Sequence, residues 1–109
     1  MVSQAEKADR FVALHQRSGA FIIPNPWDAG TARLLASLGF EALATTSLGL
    51  ANTLGRGRVT PAEILANCRA IAQATDLPVN VDLENCGAHE PRAAAEMIRL
   101  ASEVGMVGG

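Results

Sequence analysis

The chain is short of aromatic residues, with three Phe, one Trp and no Tyr in 109 positions. With so few large rings, alanine and aliphatic side chains must build the interior, which favours helices packed closely on something flat. Cysteine is nearly absent. Cys68 and Cys86 are too few for a disulfide scaffold and read as reduced thiols. Lysine occurs once, and the other eight bases are scattered arginines. A formal charge of −2 with no basic run argues against a general nucleic-acid binder. No apolar run approaches the roughly 20 residues of a membrane span. The opening stretch, MVSQAEKADRFVALHQR, carries charges where a secretion signal has an apolar core. The expectation is a cytoplasmic protein with neither nucleic acid nor membrane as partner. Hydrophobic residues at 49% against 18% charged place it among folded rather than disordered chains.

What is present alternates. Ser3 with Glu6 three residues on predicts a capped helix over 3–18, ended by Gly19. Phe21–Pro24 reads as a short strand broken by Asn25-Pro26. Asp28 is placed to cap a helix over about 29–38, closed by Gly39. Phe40–Thr46 reads as a second strand, and Gly49–Val59, with Gly49, Gly55 and Gly57, as a loop with room for a helical turn. Thr60-Pro61-x-Glu63 is a capping box with proline at the first helical position, opening a helix to about Thr75. Pro78–Leu83 is a third strand. A helix from Pro91 to near Gly105 follows, then an incipient fourth strand at Met106-Val107. A helix followed by about three βα units means a parallel sheet with covering helices and right-handed crossovers.

The chemistry concentrates where strands should end. Along Pro78–Glu84, strand alternation puts Val79, Val81 and Leu83 on one face and Asn80, Asp82 and Glu84 on the other. The two carboxylates would stand roughly 7 Å apart along the strand. Both faces of a parallel sheet are normally covered, so two acids there need a partner, and a hard divalent cation satisfies them most simply. The plainer reading puts both acids beyond the strand end, solvated or paired with arginine. Thr45-Thr46-Ser47-Leu48-Gly49 offers hydroxyls and backbone N–H groups suited to a carboxylate or phosphonate, or else forms an ordinary Ser/Thr turn. Trp27 could fill the core or wall a pocket, and Asp28 reads as a helix cap rather than a catalytic acid. Cys86 and His89 lack the second pair a zinc site needs. Arg56 and Arg58 flank Gly57, where they could meet an anion or simply be solvated. No Ser-His-Asp set, dinucleotide fingerprint or phosphate-binding P-loop occurs.

Three segments, in order, carry a resemblance. Asn25-Pro26-Trp27-Asp28-Ala29-Gly30-Thr31-Ala32-Arg33 resembles the opening of the isocitrate lyase/phosphoenolpyruvate mutase superfamily. Gly39–Ser47 looks like its second strand and substrate-binding turn, and Leu77–Asn85 like its third strand with an acid-x-acid metal motif. The similarity runs from about residue 10 onward and is nearest to 2-methylisocitrate lyase-like and carboxyphosphonoenolpyruvate mutase-like proteins. It implies the N-terminal portion of a (β/α)₈ TIM barrel, with residues 1–109 a partial barrel domain ending at the start of the fourth strand, since a whole barrel takes about 250 residues.

The resemblance further implies a Mg²⁺-dependent carbon–carbon lyase or C–P mutase, with Mn²⁺ as a substitute. Such an enzyme acts through an enolate on small carboxylates or phosphonates derived from 2-oxo acids. Carried over residue by residue, Asp82 would be a metal ligand and Glu84 a ligand through water. Thr46, Ser47 and Leu48 would cradle the substrate's anionic group, and Trp27 would line the pocket. No residue is identified as the catalytic acid or base. Two departures stand out. Gly55-Arg56-Gly57-Arg58 lies where many relatives have an acid, and Cys86 replaces a glycine after the third strand. The competing expectations are a non-catalytic barrel fragment whose raw sheet edges pair with another copy, giving a homo-oligomer, and a free-standing α/β binding module.

Overall fold

A computed structural model describes residues 2–109. Five helices alternate with a short parallel sheet: α1 (Gln4–Gln16), α2 (Ala29–Ser37), β1 (Leu43–Ala44), α3 (Ser47–Thr53), α4 (Pro61–Ala74), β2 (Val79–Asn80) and α5 (Pro91–Glu103). The helix starts follow local side-chain chemistry. The Ser3 hydroxyl accepts from Glu6 N–H, and the Glu6 carboxylate accepts from Ser3 N–H at 2.7 Å. Thr60 and Glu63 repeat that exchange at α4. At α2 the Asp28 carboxylate accepts from Thr31 N–H at 2.8 Å, and Thr31 Oγ1 accepts from Asp28 N–H. These bonds hold the Asp28 and Glu6 carboxyls below the usual carboxylate range. Asp28 is therefore a cap, as its position predicts.

The strands are shorter than expected. Leu43 pairs with Val79 and Ala44 with Asn80, both parallel, and Gly108 bridges to the far side of Asn80. Phe21–Pro24 forms no strand. It touches the sheet through one backbone bond, Ala44 N–H to Pro24 O at 3.1 Å, and one side-chain bond, Asn25 Nδ2 to Ala44 O. Pro24 and Pro26 have no N–H to give, so a ladder cannot build there. At the other edge Val107 N–H donates to Val79 O and Val81 N–H donates to Gly108 O, which is the expected fourth-strand start. Met106 is buried in the core.

The core lies between this sheet and the helices. Leu43, Val79, Val81 and Leu83 from the strand segments meet Ala32, Cys68, Ile71, Met97 and Ala101 from α2, α4 and α5. Burial pushes the Cys68 thiol up to about 11, so it behaves as a small hydrophobe. α1 closes the N-terminal end of the strands. Its Lys7 is buried, an arrangement that composition did not suggest, and Nζ donates to Ala72 O and Thr75 O at 3.2 and 2.8 Å. It thus satisfies the open carbonyls at the end of α4. Burial lowers its pKa. None of these helices is long and apolar enough to cross a membrane.

Candidate active site at the strand ends

The sequence pattern makes segment 45–49, where α3 begins, part strand and part loop; in the structure it turns straight into the helix. Thr46 is the N-cap, its Oγ1 accepting from Gly49 N–H at 3.2 Å. Glycine inside a helix weakens it, which is why the sequence reads as a loop. The reason for Gly49 is tertiary. A Cβ there would stand 2.5 Å from Trp27 Nε1 and 2.6 Å from Thr46 Cγ2, because the indole lies directly on the helix backbone. Trp27 is held by Asn67 Nδ2, which donates to its carbonyl at 2.9 Å, and by Thr31 Oγ1, which accepts from its N–H at 3.0 Å. At 45% exposure Trp27 is no core plug; its ring lies against the first turn of α3.

Asp82 meets that same turn. Its N–H donates to Thr45 Oγ1 at 3.0 Å, which fixes the backbone. Its Oδ1 accepts from Glu84 N–H at 3.1 Å, tightening the chain just after the sheet. Its Oδ2 receives only Ser47 N–H at 3.4 Å, longer than an ordinary hydrogen bond. Ser47 Oγ donates to Asp82 O at the same length. No arginine or lysine among the described residues forms an ion pair with Asp82 or Glu84. One oxygen of a half-buried carboxylate is therefore loosely held, with no arginine or lysine among the described residues paired to it.

Glu84 departs from the expected alternation. β2 ends at Asn80, and both acids lie beyond the ladder. Glu84 has φ +52° and is exposed, so the shared face holds as far as Asp82 and then breaks. The left-handed turn continues through Cys86 (φ +62°) and Gly87 (φ +61°). Cys86 N–H donates to Leu83 O at 2.7 Å and Gly87 N–H to Asn85 Oδ1 at 2.9 Å. Cys86 thus occupies a conformation that suits glycine. Cys86→Gly is expected to stabilise the chain by about 1 kcal/mol by relieving this strain, read as a higher thermal midpoint.

Ser47, Leu48 and Glu84 line a cleft of about 480 Å³ together with Arg58, Ile64 and Leu83. Leu48 is 71% exposed and can offer its backbone but little packing. Of the six residues singled out, Ser47 and Asp82 touch, Thr46 and Trp27 join them through Gly49, and Leu48 and Glu84 stand on the adjoining cleft. Sequence reasoning missed the supporting roles of Thr45 and Asn67, which no local pattern signals. Among the described residues no three His, Cys, Asp or Glu side chains gather to hold a metal ion by themselves. Mg²⁺ needs only one or two carboxylates, with water and substrate oxygens completing its shell, and a loosely held carboxylate oxygen without a counter-ion fits that requirement.

Known proteins repeat this architecture. The family model for phosphoenolpyruvate phosphomutase matches residues 11–109. A structure from Burkholderia cenocepacia, provisionally assigned as a lyase/mutase, superposes with a TM-score of 0.93 at 54% identity, covering 96% of this chain and 38% of that one. 2,3-Dimethylmalate lyase, a member of the PEP mutase/isocitrate lyase superfamily, superposes at 0.79 with 27% identity, over 98% of this chain and 38% of its own. Among curated proteins, 2-methylisocitrate lyase of Halalkalibacterium halodurans is 37% identical over 87 residues, covering 75% of this chain and 28% of the lyase. The chain thus spans well under half the length of these relatives. Its α/β fold corresponds to the N-terminal portion of their TIM barrels.

Proposed function

The chain belongs to the phosphoenolpyruvate phosphomutase family, and from that premise we propose that it carries the metal- and anion-binding part of a lyase or mutase acting on small carboxylates or phosphonates. The observation that carries this reading is the meeting of Asp82 with Ser47 at the carboxyl ends of parallel strands, where barrel enzymes build their sites. Asp82 would hold Mg²⁺ or Mn²⁺, with Glu84 reaching it through water. When bound, the ion supplies Lewis-acid polarisation of a substrate carbonyl.

The chain's own residues do the rest. Thr45 fixes the Asp82 backbone, so the carboxylate keeps its aim without the metal. Ser47 N–H, whose bond to Asp82 is long, and the neighbouring Leu48 N–H, both on the first turn of α3, would hold the substrate's anionic group. Trp27 walls that turn and limits water. No residue of the chain is proposed as the proton donor or acceptor. The reading is tested by titrating Mg²⁺ into the chain with oxalate present, following Trp27 fluorescence. Saturable binding that Asp82→Ala abolishes is the expected result. A flat titration on a chain with intact helical circular dichroism would contradict it.

A second reading has its own observation. Phe21–Pro24 covers the outer side of β1 with a single backbone bond, and Ile22 within it is largely exposed. Such an edge favours pairing with another copy and a non-catalytic role. Sedimentation of the chain separates the two. Concentration-dependent assembly without oxalate binding favours this second reading, and oxalate binding favours the first.

A further inference from the structure

The chain leaves the sheet after Pro24 by a side-chain bond that stands where a backbone bond belongs. Ala44 N–H donates to Pro24 O at 3.1 Å. In a parallel pair, Ala44 O would next accept from the N–H at position 26. That residue is proline and has no N–H. The Asn25 side chain fills the gap, its Nδ2 donating to Ala44 O at 3.0 Å. The carbonyl is satisfied from the side, and the backbone is free to turn away from β1. Pro26 is fully buried at that turn, and Trp27 follows it directly. The Trp27 N–H donates to Thr31 Oγ1 and its carbonyl accepts from Asn67 Nδ2. Its ring lies on Gly49 and beside Thr46 Cγ2. Thr46 and Gly49 bracket Ser47 and Leu48, whose N–H groups form the proposed anion cradle.

We infer that Asn25 is a positioning residue for this anion-holding turn, acting through Trp27. This inference rests on the functional reading above. Asn25 touches no substrate. Its amide sets where the chain departs from β1, and the departure sets where the indole meets α3. A backbone donor at position 26 would satisfy Ala44 O as well. It would also carry the extended run one residue further, and so draw Trp27 off Gly49. The Asn25-Pro26 pair makes the bond and stops the run. Asp82 is anchored separately, through its N–H to Thr45 Oγ1. The metal side of the site is therefore independent of Asn25.

The test reads four quantities on the full chain: thermal midpoint, Trp27 emission, Mn²⁺ affinity, and oxalate affinity at saturating Mn²⁺. Asn25→Ala is expected to lower the midpoint and shift the emission to the red. Oxalate should weaken about tenfold, the upper scale of one hydrogen bond, with Mn²⁺ affinity kept within about twofold. Adding Pro26→Ala returns a backbone donor for Ala44 O. The midpoint of the double variant should recover, while emission and oxalate affinity stay altered. If Asn25→Ala unfolds, Asn25→Asp, which keeps the shape and loses the donor, is read by the same criteria. Recovery of all quantities in the double variant would reduce Asn25 to filling the ladder and overturn the inference. So would unchanged emission and oxalate binding in Asn25→Ala, or equal losses for oxalate and Mn²⁺. In each of those cases oxalate binding by the native chain keeps the functional reading intact. A native chain that binds no oxalate removes both.

Discussion

Replacing Gly49 by alanine is expected to destabilise the chain, although the same change in an isolated helix would stabilise it. Two effects compete. Alanine in a helix interior is favoured over glycine by about 1 kcal/mol. Against that, the new methyl would enter space held by the Trp27 ring and Thr46 Cγ2, at distances real Cβ atoms do not adopt. Forcing an extra methyl into filled space costs typically about 1–3 kcal/mol. Neither neighbour yields cheaply. Thr46 is the N-cap of α3, and the Trp27 backbone is tied to Asn67 and Thr31. The indole can escape only towards solvent. The expected result is a thermal midpoint lower by several degrees, at roughly 4–8 °C per kcal/mol for a domain of this size. Trp27 emission should shift to the red as well. A raised midpoint with unchanged emission would mean that helix propensity wins and that the ring does not sit where it is placed.

Asp82→Asn separates the structural from the functional work of the carboxylate. The structural loss should be small. Asparagine keeps one acceptor for Glu84 N–H, and the contact it gives up at Ser47 is the long one. A change of about 1 kcal/mol, the net worth of one ordinary hydrogen bond, is expected. The functional loss should be large. The amide is neutral and turns a donor towards any cation, so divalent affinity should fall by at least about 10–100-fold, the range seen when even indirect metal partners are removed. Chemical denaturation checks the first figure, and Mn²⁺ titration with oxalate checks the second. A severe loss of stability with little change in Mn²⁺ affinity would make Asp82 a turn-former and nothing more.

Much of this was legible in the sequence where the determinants are local. The caps at Ser3, Asp28 and Thr60 form with partners three residues away, so short patterns locate α1, α2 and α4 closely. Parallel strands depend on distant partners, and pattern alone overstates them. Phe21–Pro24 is apolar enough for a strand but has one backbone bond to the sheet. Pro78–Leu83 alternates as expected, but its paired part is Val79–Asn80. The helix at Ser47–Thr53 was hidden by Gly49, whose reason lies with Trp27, twenty-two positions earlier. At the candidate site, residue types and order pointed to Asp82 and Ser47. The contact between them, and the supports from Thr45 and Asn67, come from the fold. Strict alternation puts Glu84 on the Asp82 face, and the left-handed turn after Leu83 breaks that register.

The most direct test is to locate a bound ion. Mn²⁺ is added with oxalate to isotope-labelled chain, and paramagnetic broadening of the amide signals is mapped. The amides of Thr46, Ser47, Leu48, Asp82 and Glu84 are predicted to vanish first, while Phe40 and Leu77, which border a separate cleft with Arg10 and Arg17, keep their signals. Broadening centred instead on the exposed acids Glu96 and Glu103 of α5, or none at all, would contradict a metal site at Asp82.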